Sequence, residues 1–250
     1  VRLCDVDKQF YLDYIDWLRS SCKTAWGKPV SPKTAHSYYT TLRTALNEAV
    51  RENLIASNPW YRLEMTEKIK VPESKRDFLT IEEIKRMMAT PFFNEQVRQA
   101  YLFSCFCGLR ISDIRKLRWR DLSMSGGQWR ASVVMTKTIH PVYIPLSSQA
   151  VKWLPERGDC TPDGLVFGGL PNEGNLCVNL KNWAEKAGVK KNVTFHTARH
   201  SCAVLLLTLG ADIYTVSKIL GHRSVRSTQV YAKIVDKKKD DAIALVDNAF

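Results

Sequence analysis

Between Glu64 and Asp77 the chain runs EMTEKIKVPESKRD, a charged stretch poor in aromatics and interrupted by Pro72. Burying it would strand charges away from water, so it must run over a surface. A chain crossed by such a segment folds as two units, expected at 1–70 and 78–250 with the linker at 71–77.

The first unit reads as helical. Phe10, Tyr14, Trp17 and Leu18 recur at i, i+4, i+7 and i+8, one face of a helix. Pro32 opens a second helix, whose apolar stripe is Leu42, Ala45, Leu46, Ala49 and Val50 and whose stop is Asn58-Pro59. In the second unit, Thr80 and Glu83 form a capping box that starts a helix. Beyond Gly126-Gly127 the period changes to two: Trp129, Ala131, Val133 and Met135 alternate with polar positions. Val142, Ile144 and Leu146 do the same after His140-Pro141, which predicts a β-hairpin or meander. Asn175 to Ala187 predicts a helix ended by Gly188, and from Thr194 three helical pieces are separated by Gly210 and Gly221.

Lys and Arg outnumber Asp and Glu by 37 to 25, a net charge of +12. A polyanionic partner, nucleic acid first, is expected. The longest apolar run, Cys202 to Leu207, falls far short of the roughly 18 residues of a membrane span. Early acids and the lack of an apolar leader argue against secretion, and the start at Val1 without Met reads as a fragment. The seven cysteines, at 4, 22, 105, 107, 160, 177 and 202, are odd in number and contain no Cys-x-x-Cys pair. They read as reduced thiols of an intracellular protein, with Cys105 and Cys107 as small core residues.

Two stretches carry candidate chemistry. The first, from Cys107 to Leu122, contains Arg110 after Gly108-Leu109, the acid Asp113, and the basic group Arg115, Lys116, Arg118 and Arg120. The second holds His196, Arg199 and His200, then Leu220-Gly221-His222, then Tyr231. His196 and Arg199, at i and i+3, share a helix face. Taken singly, each has a bland reading: a solvated helix end, a structural histidine, a half-buried tyrosine. Together they suit phosphoryl transfer to a tyrosine. Planar guanidinium groups clamp the anionic phosphorus centre, and a phenol with an ordinary pKa of about 10 needs a base or a cationic field to become a nucleophile. Lys137, where the hairpin turns, has the reach to protonate a leaving oxygen. His196 and His200 at i, i+4 mimic a two-histidine metal face, but no Glu stands at 197 and no third ligand is evident, so no metal is expected.

These motifs resemble the tyrosine recombinase, or phage-integrase, family. Arg110, Lys137, His196, Arg199, His222 and Tyr231 each fall on a position of that family's catalytic set, in its order, and Asp113 matches its acidic support residue. The resemblance is dense over 76–250 and weaker over 1–70. It implies a mainly α protein with a small antiparallel β-sheet: a helical, SAM-like core-DNA-binding domain followed by a catalytic domain, clamped on duplex DNA. It also implies a 3′-phosphotyrosine intermediate on Tyr231 and a free 5′ hydroxyl, with no nucleotide cofactor. Arg110 and Arg199 would clamp the phosphate, His196 would handle protons, His222 would bond a non-bridging oxygen, and Lys137 would be the general acid. His200 is expected to brace the site through the Asp113 region. The tail from Asp241 to Phe250 would dock on a neighbouring protomer in a homotetramer on synapsed DNA, and an arm-site domain ahead of Val1 fits the resemblance. A cytoplasmic location follows from the thiols and the substrate.

Two rivals stand beside this reading. A type IB topoisomerase would use related chemistry to relax supercoils as a monomer. A non-catalytic regulator would use Asp212 to Leu220, Gly221 and Val225 to Ile234 as a helix-turn-helix. The basic residues Arg115, Lys116, Arg118 and Arg120, like Lys237 to Lys239, are candidates either for DNA phosphates or for a solvated face.

Overall fold

The computed structural model describes residues 2–71, 76–137 and 141–232. Pro72, His140, Ile234, Lys237 to Lys239 and the tail from Asp241 lie outside them. The chain divides into Val1–Lys75 and Arg76–Phe250. Arg76 and Asp77, read from the sequence as linker, therefore belong to the second unit.

In the first unit, α1 (Lys8–Ser20) starts at Asp7, whose carboxylate accepts the Phe10 N–H at 2.8 Å. Helix α2 (Pro32–Arg51) starts at Ser31, whose hydroxyl accepts the Thr34 N–H, with Pro32 in the first turn. The helices are where the periodicity puts them, but the buried face of α1 is Tyr11, Ile15 and Leu18, and Trp17 stays 48% exposed. Phe10, Tyr14 and Trp17 stack on one another along the helix, with ring centroids 6.4 and 6.0 Å apart. An aromatic ladder along a helix needs the same i, i+3, i+4 spacing as a core face, so spacing alone does not separate the two. On α2 the core positions are Ala35, Tyr39, Leu46 and Ala49, while Ala45 is exposed. Asn58, the expected helix stop, is buried and donates to the Arg43 carbonyl and to Asn47 Oδ1.

The second unit opens with α3 (Ile81–Ala89), and both halves of the Thr80–Glu83 capping box are formed. Helix α4 (Glu95–Cys107) buries Val97, Ala100, Tyr101, Leu102, Phe103, Cys105 and Cys107, so it runs through the core. The two cysteines are core residues, and burial pushes their thiols up. After Gly108 comes the single turn α5 (Ile111–Ile114), then β1 (Leu122–Ser125), β2 (Gln128–Val134) and β3 (Pro141–Pro145). They pair antiparallel in the order β1-β2-β3, a meander. Gly126 and Gly127, at φ 58° and 75°, make the β1–β2 turn, where two consecutive positive φ values favour glycine. Ala131, Val133, Met135, Ile144 and Leu146 face the core, as their alternation predicts.

Helix α6 (Ser148–Lys152) leads to α7 (Glu173–Lys186), which starts at Asn172, earlier than the sequence pattern suggests, because the Asn172 side chain caps Asn175 N–H. The chain closes with α8 (Phe195–Thr208), α9 (Ile213–Ile219) and α10 (Arg226–Ala232). Gly210 and Gly221, both at positive φ, separate them. Helix α8 packs against α4, and α10 packs on α8 and α9.

Candidate active site

Gly108 makes the site possible. It ends α4 in the left-handed region at φ 73°, and a Cβ there would lie 2.6 Å from Leu220 Cδ2. The turn brings the α4 end against the α9 end, and Arg199 ties both to α8. Its Nη1 donates to Gly108 O at 2.7 Å and its Nη2 to Leu220 O at 2.5 Å. Arg199 is 4% exposed. Burial first, and then the charge of Arg110, lower its pKa to about 10, which leaves it cationic at neutral pH. Two of the hydrogens on its five-donor guanidinium are committed to the backbone, so others remain for an anion.

Arg110 begins α5 and is half-buried. Among the described residues its Nη1 meets a soft acceptor, Met135 Sδ at 3.7 Å, a contact that a phosphate oxygen would readily replace. One turn on, Asp113 is 1% exposed and accepts the backbone N–H of Thr136 at 2.8 Å. That bond pins the start of the turn after β2, where Lys137 stands exposed to solvent.

Helix α8 places His196, Arg199 and His200 through the cap made by Thr194, and the His196 and His200 rings lie 6.4 Å apart. His196 is exposed. His222 follows the Gly221 turn, and its Nδ1 pairs with buried Thr228 Oγ1 at 2.8 Å. With Nδ1 so engaged, Nε2 is the nitrogen a phosphate oxygen would meet. Burial, and then the charges of Arg199, Arg110 and Arg76, lower His222 to about 4, so the ring is neutral at pH 7.

Tyr231 lies on α10, 1% exposed, its ring packed among Ala203, Val204, Leu207, Val216 and Leu220. Its hydroxyl shares a short hydrogen bond with His200 Nδ1 and accepts from Arg76 Nη1 at 3.4 Å. Thus His200 does not brace the Asp113 region. One turn beyond His196 on α8, it reaches the α10 side, whereas Asp113 accepts through one carboxylate oxygen from the β2 end. Burial, and then Arg76, His196 and Arg199, lower His200 to about 4.

The structure therefore gathers Arg110, Arg199, His200, His222 and Tyr231 into one electrostatically coupled group that Asp113 and His196 also join, while Lys137 stands exposed on the turn that follows Thr136. Arg76 belongs to the same group and was missed by sequence reasoning, because it sits in a charged run where nothing distinguishes one cation from the next. Three of the four basic residues after Asp113 are tied to protein. Arg115 donates to the Leu170 and Pro171 carbonyls, Arg118 to Asp163 O, and Arg120 pairs with the Asp163 carboxylate. They hold the 163–171 segment. Among the described residues no cluster of three or more His, Cys, Asp or Glu forms a metal-ligand set, and no helix is long and apolar enough to cross a membrane.

A tyrosine hydroxyl bonded to one imidazole and one guanidinium, in a cluster that holds two further arginines and a second imidazole, has the chemistry that phosphoryl transfer to a tyrosine would need. The profile of the phage integrase family matches residues 77–238, and that of the phage integrase SAM-like domain matches 1–70. The chain belongs to the phage integrase family of tyrosine recombinases. A tyrosine recombinase of Thermosipho africanus (strain TCF52B) is 31% identical over 232 residues, 87% of this chain and 77% of that one. Tyrosine recombinase XerD of Pseudomonas putida (strain KT2440) is 26% identical over 252 residues, 94% of this chain and 80% of that one. Among solved structures, the XerH site-specific recombinase in a post-cleavage complex with palindromic difH substrate aligns with a TM-score of 0.73 at 18% identity, over 98% of this chain and 74% of that one. A lambda integrase dimer bound to a COC′ core site aligns with a TM-score of 0.65 at 20% identity, over 92% and 81%.

Proposed function

We propose that this chain is a site-specific DNA recombinase that cleaves and rejoins strands through a 3′-phosphotyrosine on Tyr231. The observation that carries the reading is the convergence on Tyr231 and its neighbours of cations and neutral imidazoles from four separate stretches of chain. Arg110 and Arg199 hold the non-bridging oxygens of the scissile phosphate, where negative charge grows as phosphorus becomes five-coordinate. His222 donates from Nε2 to one of those oxygens, in the tautomer whose Nδ1 accepts from the Thr228 hydroxyl. Tyr231 Oη bonds to phosphorus as the bond to O5′ breaks. Lys137, on the turn that Asp113 pins, gives O5′ its proton, and His196 supports the transition state. The phosphodiester energy is conserved in the phosphotyrosine, so a new 5′ hydroxyl displaces the tyrosine without a nucleotide cofactor.

The partner is duplex DNA, consistent with the charge of +12. The relatives named above are recombinases, which favours strand exchange over the relaxation of a type IB topoisomerase and over a non-catalytic regulator. A homotetramer docked through the tail from Asp241 accords with the family resemblance. The test is a nicked DNA substrate that traps the covalent product, followed by mass spectrometry of the attached peptide. Wild type is expected to carry DNA on Tyr231. Tyr231→Phe is expected to bind DNA equally and form no adduct, and an adduct that survives the change rejects the assignment.

A further inference from the structure

The family resemblance gives proton handling to His196, yet the hydrogen bonds at the Tyr231 oxygen among the described residues go to other groups. The hydroxyl is buried, so bulk water is not there to take its proton. Two protein groups touch the oxygen: His200 Nδ1 and Arg76 Nη1. Arg76 also lies over the ring, with its guanidinium carbon 5.8 Å from the centroid. A guanidinium only donates, so it meets a lone pair of the oxygen. In the tautomer that carries its proton on Nε2, the uncharged imidazole presents a lone pair at Nδ1, and the phenol O–H donates to it. The oxygen is thus polarised from both sides.

Arg76 is held in this place by its own segment. Two and three residues on, Phe78 O accepts from Lys191 Nζ at 2.8 Å and Leu79 N–H donates to Ser201 Oγ at 2.7 Å. Ser201 is the residue after His200 on α8, so the stretch carrying Arg76 and the helix carrying His200 are fastened at adjacent positions. Phe78 also packs on the cluster that contains the Tyr231 ring.

We propose that Arg76 and His200 are further catalytic residues of the cleavage step: His200 Nδ1 takes the phenol proton and Arg76 stabilises the phenolate charge. The balance is as follows. The Tyr231 O–H bond breaks and its proton passes to His200 Nδ1 as Oη bonds to phosphorus. The bond from phosphorus to O5′ breaks, and O5′ takes its proton from Lys137. In religation the proton returns from His200 to the departing Oη. The groups facing His200 are Arg76 from the segment before α3, His196 and Arg199 from α8, and Tyr231 from α10. Burial first, and then the charges among them, keep the imidazole uncharged and so able to accept. The inference rests on Tyr231 being the nucleophile.

The test is the single-turnover rate of adduct formation on nicked DNA, with protein in saturating excess so that DNA affinity does not enter, followed from neutral to alkaline pH. Arg76→Ala is expected to slow adduct formation about tenfold at neutral pH. The deficit is expected to shrink as pH rises toward the ordinary phenol pKa of about 10, because hydroxide then supplies the phenolate. Arg76→Lys keeps the charge and is expected to restore most of the rate. His200→Ala is expected to show the same alkaline recovery. An Arg76→Ala rate equal to or above wild type overturns the proposal, as does a deficit that ignores pH and is not relieved by lysine. A wild type without adduct on Tyr231 instead rejects the functional reading itself, which keeps the two failures apart.

Discussion

The carboxylate of Asp113 accepts the backbone N–H of Thr136 at 2.8 Å, joining the α5 turn to the end of β2. Its second oxygen is buried and unpartnered among the described residues, in a region that already holds the Arg199 charge. This one bond sets where the turn carrying Lys137 begins.

Asp113→Ala leaves that N–H without its acceptor and removes a negative charge near buried Arg199. The expected loss is about 2–3 kcal/mol, read from the urea midpoint. Asp113→Asn retains an acceptor oxygen and is expected to cost less. Both are expected to slow adduct formation more than DNA binding, since Lys137 loses its placement.

Gly108→Ala places a Cβ 2.6 Å from Leu220 Cδ2 on a backbone at φ 73°. The clash and the left-handed strain together are expected to cost at least ~1–2 kcal/mol and to lower the thermal midpoint by several degrees. Because Gly108 O is an acceptor for Arg199, the variant is also expected to weaken catalysis. Gly158→Ala, in open space at φ 51°, carries the strain without the clash and serves as the comparison.

Arg199→Lys keeps a charge but cannot reach two carbonyls from one planar fork. Leaving Gly108 O or Leu220 O unpaired is expected to cost about 2 kcal/mol in chemical denaturation. The adduct rate is expected to fall as well, because a lysine cannot both tie the backbone and offer paired donors to the phosphate.

His200 and His222 both lie at about 4, chiefly through burial, with Arg76 the next cause for the first and Arg199 for the second. An unfolded histidine titrates near 6.5, so above that pH both states are neutral and neither residue makes stability depend on pH. As pH falls from about 6.5 toward 4 the unfolded chain takes up protons first, and stability falls. A thermal midpoint that declines across this window, and declines less in His222→Gln, is the expected result. An unchanged slope in that variant would discount His222 as a contributor.

Much of the architecture was legible in the chain. The charged stretch before Thr80 marked the division into units, the Thr80–Glu83 box marked a helix start, and alternation after Gly126 marked the strands. These signals are local, set by backbone hydrogen bonding and by the period of each element. What misled was the face of α1. Phe10, Tyr14 and Trp17 repeat as core residues do, yet they stack on each other, and Tyr11 goes inward to meet Tyr39 and Asn58.

The sequence by itself determined the inventory of the candidate site: two arginines, three histidines, a lysine, an acid and a tyrosine in a fixed order, because chemistry restricts which side chains can serve a phosphodiester. Only the tertiary structure decided who meets whom. It put His200 rather than a distant group on the Tyr231 hydroxyl and drew Arg76 out of an undistinguished charged run. It also spent Arg115, Arg118 and Arg120 on carbonyls and a carboxylate. The physical reason is that a hydrogen bond is decided over about 3 Å in space. Its partners here stand 31 and 155 residues apart, and no local pattern encodes such a distance.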